Sequence, residues 1–433
     1  MLSRRLPLRG ADLVILGLDA ECGGGREGCH NGVVALECGG KLSADRLTEA
    51  LARFLEHSPW PAARLARPFP WGALSWTVPR GRLEPPHVRR LTVPSLDAET
   101  LVRLAEDELN DRIDPWRQPL IRFLVLDESA GERSALVVAF SRPLMDPHGA
   151  ETFLVQLDEL DRSPNGSPWV CRPVFEPPLD ARPLRVRGPI ARRSQGFLRA
   201  IAAVPPLSLG RGVREPGRVR IRRALLSDTT TPRAHRETTF RLAAVGKAVN
   251  RLWQRRGLPD IPFLIPVSVD MRPKGERGPT FGNYLTFHFA RFLPSETGDS
   301  RELASRLRLQ MAEALREGSI DAHWVSMEFT RYRTLRGILK EMAWARNGGD
   351  PFSFNCADTG EFAPGLDQFL GAPVRRAFHA PAVLPRPGIG VFFTRYRGLE
   401  GVTVCWVEGV LNESEAQEIL DGVVDELGGE RAP

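Results

Sequence analysis

The sequence predicts an α/β protein in two halves, and three observations carry that expectation. The chain has 433 residues, more than one hydrophobic core ordinarily organises, so two domains are expected. Short β-branched apolar runs and segments of helical period follow one another along its whole length. An arginine- and proline-rich connection at 181–218 divides a first half, 1–180, from a second, 219–433.

The composition is that of a globular protein, 42% hydrophobic and 26% charged, with no apolar run long enough to span a bilayer. Near the N-terminus, Arg4-Arg5 precede Leu13–Leu18, but Asp12 and Asp19 bracket only six apolar residues. A secretory segment needs about 7–15. This stretch is expected to be an early strand or loop, and the protein cytoplasmic. Six cysteines in so long a chain make no disulfide framework. Cys22, Cys29, His30 and Cys38 crowd one region, yet their spacing lacks the CxxC knuckle of a tetrahedral zinc site. Free thiols are expected, and no metal.

In the first half, residues 33–38 read as a strand. Ser43 opens a helix with Leu47, Ala50, Leu51, Phe54 and Leu55 on one face, and Pro59-Trp60-Pro61 ends it. A short strand is expected near 73–78, a helix over Leu101–Leu109, and strands over Ile121–Leu126 and Ser134–Phe140. The last strand ends at Ser141-Arg142-Pro143, and a Pro-His-Gly turn leads into a helix over Glu151–Leu160. Asp146 and His148 thus sit on a loop held by two rigid elements, a common way to build an active site.

The connection is the charged feature. From Arg182 to Arg223 there are twelve arginines and one acid, a local charge of 12 − 1 = +11 against +6 for the whole chain. A solvated linker is the plain reading. An anionic membrane surface, the phosphates of CoA or an acidic carrier protein are the functional ones. No nucleic-acid motif accompanies the charge.

In the second half, strands are expected over Val219–Leu226, Phe263–Val269 and Phe281–Phe289, with a helix from Thr239 to Arg255 capped by Thr238 or Thr239. Residues 353–360 read as strand and glycine turn. Ile389–Tyr396 and Gly401–Trp406 read as final strands, and Glu413–Leu427 as a closing helix.

The stretch AFSRPLMDPHGAETF, residues 139–153, resembles in shape and flanks the HHxxxDG motif of the CoA-dependent acyltransferase superfamily. Its members include chloramphenicol acetyltransferase, condensation domains and wax ester synthases. PVSVDMR at 266–272 and FGN at 281–283 are similar to landmarks of that superfamily's second half. The resemblance covers nearly the whole chain. It implies two chloramphenicol-acetyltransferase-like subdomains in a V-shaped pseudo-dimer with a tunnel between them. It also implies transfer of an acyl group from a CoA or carrier-protein thioester to a hydroxyl or amine, with no bound cofactor. The partners it implies are a small-molecule donor and acceptor and a carrier protein; peripheral membrane contact is expected from the basic charge of 182–223.

The match departs at the chemistry. Ser141 and Arg142 stand where the family has two histidines, and Pro147 where it has glycine. A guanidinium has no lone pair with which to take a proton. Three readings stay open. Another base serves: His148, kept neutral by the helix dipole, or His288, sharing a strand face with Tyr284 and Thr286 that lines the tunnel. No base is needed, and Arg142 stabilises developing charge. Or turnover is lost, leaving a binding or recruitment protein with Arg142 as an anion clamp. The resemblance also implies that Asp146 pairs with an arginine, Arg272, and that Asn283 and Tyr284 lie beside the tunnel. Cys356 reads as a small buried residue.

Overall fold

The computed structural model describes residues 5–21, 31–67, 73–163, 182–201, 203–213, 217–227, 233–273, 275–276, 278–345, 348–381 and 383–432. Cys22, Cys29, His30 and Cys171 lie outside the described residues.

In chain order the first half runs β1 (Arg5–Pro7), α1 (Gly10–Glu21), β2 (Asn31–Cys38), α2 (Ala44–His57), β3 (Arg64–Ala66), β4 (Ser75–Thr77), β5 (Val88–Val93), α3 (Ala98–Asn110), β6 (Ile121–Glu128), β7 (Ser134–Ser141) and α4 (Pro147–Arg162). Then follow α5 (Leu184–Ile201), β8 (Val219–Ser227), α6 (Thr238–Arg255), β9 (Phe263–Asp270), β10 (Leu285–Phe292), α7 (Ser300–Glu317), α8 (Ser319–Phe329) and α9 (Leu335–Ala345). The chain closes with β11 (Asn355–Glu361), β12 (Gln368–Phe369), β13 (Ala372–Pro381), β14 (Ile389–Tyr396), β15 (Leu399–Val407) and α10 (Glu413–Leu427).

A six-stranded sheet of order β12-β13-β2-β7-β6-β5 organises the first half. Its central strands β2 and β7 are buried along nearly their whole length, with apolar runs at Val33–Leu36 and Ala135–Phe140, because both faces are covered. Val33, Ala35, Val137 and Ala139 face one core with α3, and Val34, Leu36, Val138 and Phe140 face the other. That second core takes Leu51 and Phe54 of α2 and Phe153 of α4, with the Phe54 and Phe153 rings edge-on at 4.8 Å. Truncating such a ring costs about 3–5 kcal/mol.

The second half is built on a four-stranded sheet, β11-β14-β15-β8, and the ribbon β9–β10. Helix α6 packs between α7 and α10. Two strands cross back: β13 pairs with β2 over Val374–Pro381, and β12 pairs with β13. The second half therefore supplies two strands of the first half's sheet.

Several expectations are corrected. Leu13–Leu18 is neither strand nor loop but part of α1. Leu13 and Leu16 enter the core while Val14, Ile15 and Leu18 line a cavity, so apolar residues surround the helix and erase its period. Helix α6 is preceded by Glu237, not by a capping threonine. Strand β10 starts at Leu285, because Gly282 turns the chain with φ +93° and bridges to Met145.

The basic segment is not one surface. Its early part is α5, packed on α8. In its later part, Arg218 pairs with Asp107, Arg220 with Glu106 and Glu408, and Arg222 with Glu413. Those arginines neutralise acids of α3, of the loop after β15 and of the start of α10. No helix among the described residues is long and apolar enough to cross a membrane.

Candidate active site

Strand β7 ends at Ser141, and Asp146 starts α4 as its N-cap. The cap oxygen Oδ1 accepts from the Gly149 amide at 2.8 Å, satisfying one of the helix's orphan donors. Arg272 donates Nη2 to Oδ1 and Nη1 to Oδ2, each at 3.0 Å, and the Tyr284 amide donates to Oδ2 at 2.9 Å. The carboxylate is 3% exposed. Burial disfavours its charge, but Arg272 and the Tyr284 amide more than offset this, and its pKa lies below the ordinary carboxylate value. Arg272 is equally enclosed, donating also to Asp270 and to the Pro279 carbonyl. These contacts tie the loop after β7 to β9 and to the segment before β10.

Asn283 secures the same loop from behind. Its amide nitrogen donates to the Arg142 carbonyl at 3.0 Å and to Asp12 Oδ1 at 2.8 Å. Tyr284 is buried between the guanidiniums of Arg9 and Arg272, 4.0 and 5.0 Å from its ring centre. Neither Asn283 nor Tyr284 lines the cavity; both form the frame behind its wall. Asp12 of α1 is wholly enclosed, and burial pushes its pKa up to about 7 against the bonds from Asn283 and Arg9.

The cavity has a volume of about 680 Å³ and is walled chiefly by apolar groups, among them Phe287, Phe289, Phe329, Phe352 and Phe392. Helices α1, α5 and α8, ribbon β9–β10 and strands β11 and β13 contribute to it. Arg142 enters this wall, packed against Gly32, where an added Cβ would meet its Cδ at 3.1 Å. Its Nη1 is buried with no hydrogen-bond partner among the described residues. Burial lowers the guanidinium's pKa, while Asp146 favours its charge.

His148 lies one helical step beyond Pro147, half-exposed to the cavity, with Nδ1 3.5 Å from Glu151 Oε2 and Nε2 4.0 Å from Asp270. Burial opposes its charge, but the bond and charge of Glu151, with Asp146 and Asp270, raise its pKa to about 9. The neutral His148 expected from the helix dipole is therefore corrected: three nearby carboxylates outweigh one helix end, and the ring is a cation at neutral pH.

His288 is corrected too. Leu285, Phe287 and Phe289 point into the cavity, so the alternating positions Thr286 and His288 point the other way. The Thr286 hydroxyl meets the Ile320 carbonyl of α8. His288 Nε2 is buried without a partner among the described residues, and burial lowers its pKa. Ser141 is 1% exposed, its hydroxyl away from the cavity and without a partner among the described residues. Cys356 does line the cavity, yet burial pushes its thiol pKa up and keeps it protonated.

Three solved structures share the fold that carries this site. The first condensation domain of the calcium-dependent antibiotic synthetase, in complex with a substrate analogue, aligns with TM-score 0.70 and 15% identity over 98% of this chain and 96% of its own. The epimerization domain of the third module of tyrocidine synthetase B aligns with TM-score 0.65 and 12% identity, over 99% and 96%. Polyketide synthase associated protein 5 from Mycobacterium tuberculosis aligns with TM-score 0.64 and 15% identity, over 98% of both chains. The fold is that of a condensation domain. It is the two-subdomain α/β fold that the resemblance to the CoA-dependent acyltransferase superfamily implied. No family model matches the chain, and no curated protein does either.

On the condensation-domain fold, the cavity wall and the layer behind it hold polar groups that the sequence did not single out. Glu151 Oε1 accepts from His379 Nε2 at 2.7 Å, and Oε2 accepts from the Ala363 amide at 2.9 Å. Ser194 of α5 meets His323 Nδ1 of α8 at 2.8 Å, and burial pushes His323 down to about 4. Glu151 is 151 − 148 = 3 residues from His148 and so shares its helix face, a signal the sequence held. His379 and His323 lie 228 and 129 residues from their partners, and no spacing could have joined them.

Proposed function

We propose that this chain binds an acyl thioester in the cavity and transfers the acyl group to a hydroxyl or amine, with a cationic group where a base is usual. The thioester is carried by CoA or by a carrier protein. The observation that carries this reading is the buried Nη1 of Arg142, without a partner among the described residues, in the wall of a large apolar cavity. Burying a donor unmet costs about 1–3 kcal/mol, more for a charge. A ligand oxygen with negative charge, present or developing, would offset that cost. The carbonyl oxygen of a thioester under attack is such a group, and donors fixed in a dry site stabilise it well. The aromatic and aliphatic wall suits the acyl chain.

One observation favours a second reading, a binding or recruitment protein without turnover. Arg142 cannot accept a proton, and His148 is already protonated at neutral pH. The two readings part in one experiment. Calorimetric titration with CoA, acetyl-CoA and octanoyl-CoA reports the donor site, and free thiol released with a panel of amines and alcohols reports transfer. Affinity rising with acyl length together with acceptor-dependent thiol release supports transfer. Binding without release supports the second reading, and no binding of any acyl-CoA removes free CoA as the carrier.

A further inference from the structure

We propose that His379, on the crossover strand β13, is the general base of this site, positioned by Glu151; the inference rests on the acyl-transfer reading. The cavity wall and its surroundings hold four histidines, and their geometry separates them. His148 has no lone pair to offer while its three carboxylate neighbours keep it protonated. His288 points to α8, away from the cavity. His323 reaches the cavity, but its Nδ1 is engaged by Ser194, and Phe197 and Phe289 flank its ring, so it is a weak base. His379 lines the cavity with a different set of contacts.

Glu151 fixes the tautomer of His379. The carboxylate, held ionised by His148 and His379 against its burial, can only accept, so His379 Nε2 carries the hydrogen at 2.7 Å. The lone pair is then on Nδ1, which is bonded to no described residue. Glu151 is itself fixed by the Ala363 amide, and the Phe362 ring lies against the imidazole at 5.1 Å. A carboxylate behind a histidine, orienting it and stabilising its cation, is the arrangement of acyl-transfer bases on unrelated folds.

The register brings His379 to the loop that holds Arg142. On β13, Pro381 pairs with Gly32 and His379 with Val34. Gly32 in turn pairs with Phe140 of β7, two residues before Arg142, and Gly32 is where Arg142 packs. Directly opposed residues share a sheet face, as do alternate residues of one strand. His379 and Arg142 therefore belong to the face that α4 covers, about 13 Å apart along the strand direction, and the Arg142 side chain runs back over Gly32 toward His379. The charged groups near His379 are Glu151 and, through it, His148, both on α4.

The chemistry balances within these groups. As the acceptor oxygen or nitrogen bonds to the thioester carbon, its proton passes to His379 Nδ1, and Glu151 stabilises the imidazolium. The carbonyl oxygen carries the charge beside Arg142. When the C–S bond breaks, the thiolate leaves and recovers the proton from His379.

The test uses the full chain and S-octanoyl-pantetheine with hydroxylamine or water as acceptor, following free thiol from pH 5 to 9. The expected result is that His379→Gln lowers the rate about 100-fold or more while S-octyl-pantetheine, a thioether that cannot react, binds as before. Glu151→Gln, the positioning variant, should move the acid limb of the profile to lower pH. A wild-type rate and profile in His379→Gln overturns the base while leaving acyl transfer standing. A wild-type chain that binds the thioether but releases no thiol overturns acyl transfer itself. Nitrogen-15 spectra of the intact wild-type chain give a readout that needs no variant to fold: Nε2 protonated and Nδ1 bare at pH 7 is expected, and a protonated Nδ1 overturns the proposal.

Discussion

Arg272 closes on both oxygens of Asp146 at 3.0 Å, and through that pair the first turn of α4 is held by the segment that follows β9. The two residues are 126 apart in sequence, and both are buried. Removing either leaves the other buried without its bidentate counter-charge. Asp146→Ala or Arg272→Ala should each cost about 3–5 kcal/mol. The double variant should cost less than the sum of the two, since one mutation already breaks the pair. Urea midpoints of the four proteins check this, and additive losses would refute it.

His148 should make ligand binding depend on pH on the alkaline side. Its pKa is raised from 6.5 to about 9, so the folded chain holds its proton more tightly than the unfolded one. The stability it contributes is complete below about 6.5 and is lost as pH rises through about 9. Octanoate affinity should be level from pH 7 to 8 and fall beyond 9. His148→Gln should remove that fall. Calorimetry at four pH values decides it.

Asp12 works with the opposite charge. Burial raises its carboxyl to about 7, so it too favours the protonated fold. Its contribution is complete below the ordinary value of 3.8 and is lost as pH rises through about 7. Between pH 4 and 7 the wild-type chain should lose a one-proton increment of stability that Asp12→Asn does not. Parallel unfolding curves of the two proteins would refute the assignment.

Arg142→Met keeps an unbranched apolar stem and removes the guanidinium with its charge. Because Nη1 is buried without a partner, the variant should be as stable as wild type or more so. Octanoate should bind about 10–150-fold more weakly, the worth of one charged hydrogen bond of about 1.5–3 kcal/mol. Equal affinity in the two proteins would remove Arg142 from the site.

Much of the fold was legible because both faces of its sheets are buried and the strands read as unbroken apolar runs. Strand β14 and helix α10 begin and end where the pattern does. Helix α1 was not legible, since six apolar residues between two aspartates fit either a strand or a buried helix turn. The positions of Asp146 and Arg272 follow from two short motifs. Which side of β10 faces the cavity depends on where the strand begins, and Gly282 shifts that start. The charge state of His148 depends on Asp270, 270 − 148 = 122 residues away. Glu151, three residues on, was visible; its bond to His379 was not.

The crossover of β13 also sets a timetable for synthesis. One edge of β2 meets β7, but its other edge has no neighbour until β13 is made. Between the end of β7 and the start of β13 lie residues 142–371, or 371 − 141 = 230 residues. At ~5–20 residues per second, a ribosome needs about 10–50 s to produce them. During that interval an eight-residue apolar strand edge is open on the nascent chain, a template for pairing with other chains. The nascent first half should therefore be a chaperone client until residue 381 emerges, and ribosome-stalled chains ending before β13 should bind holdases that the finished protein does not.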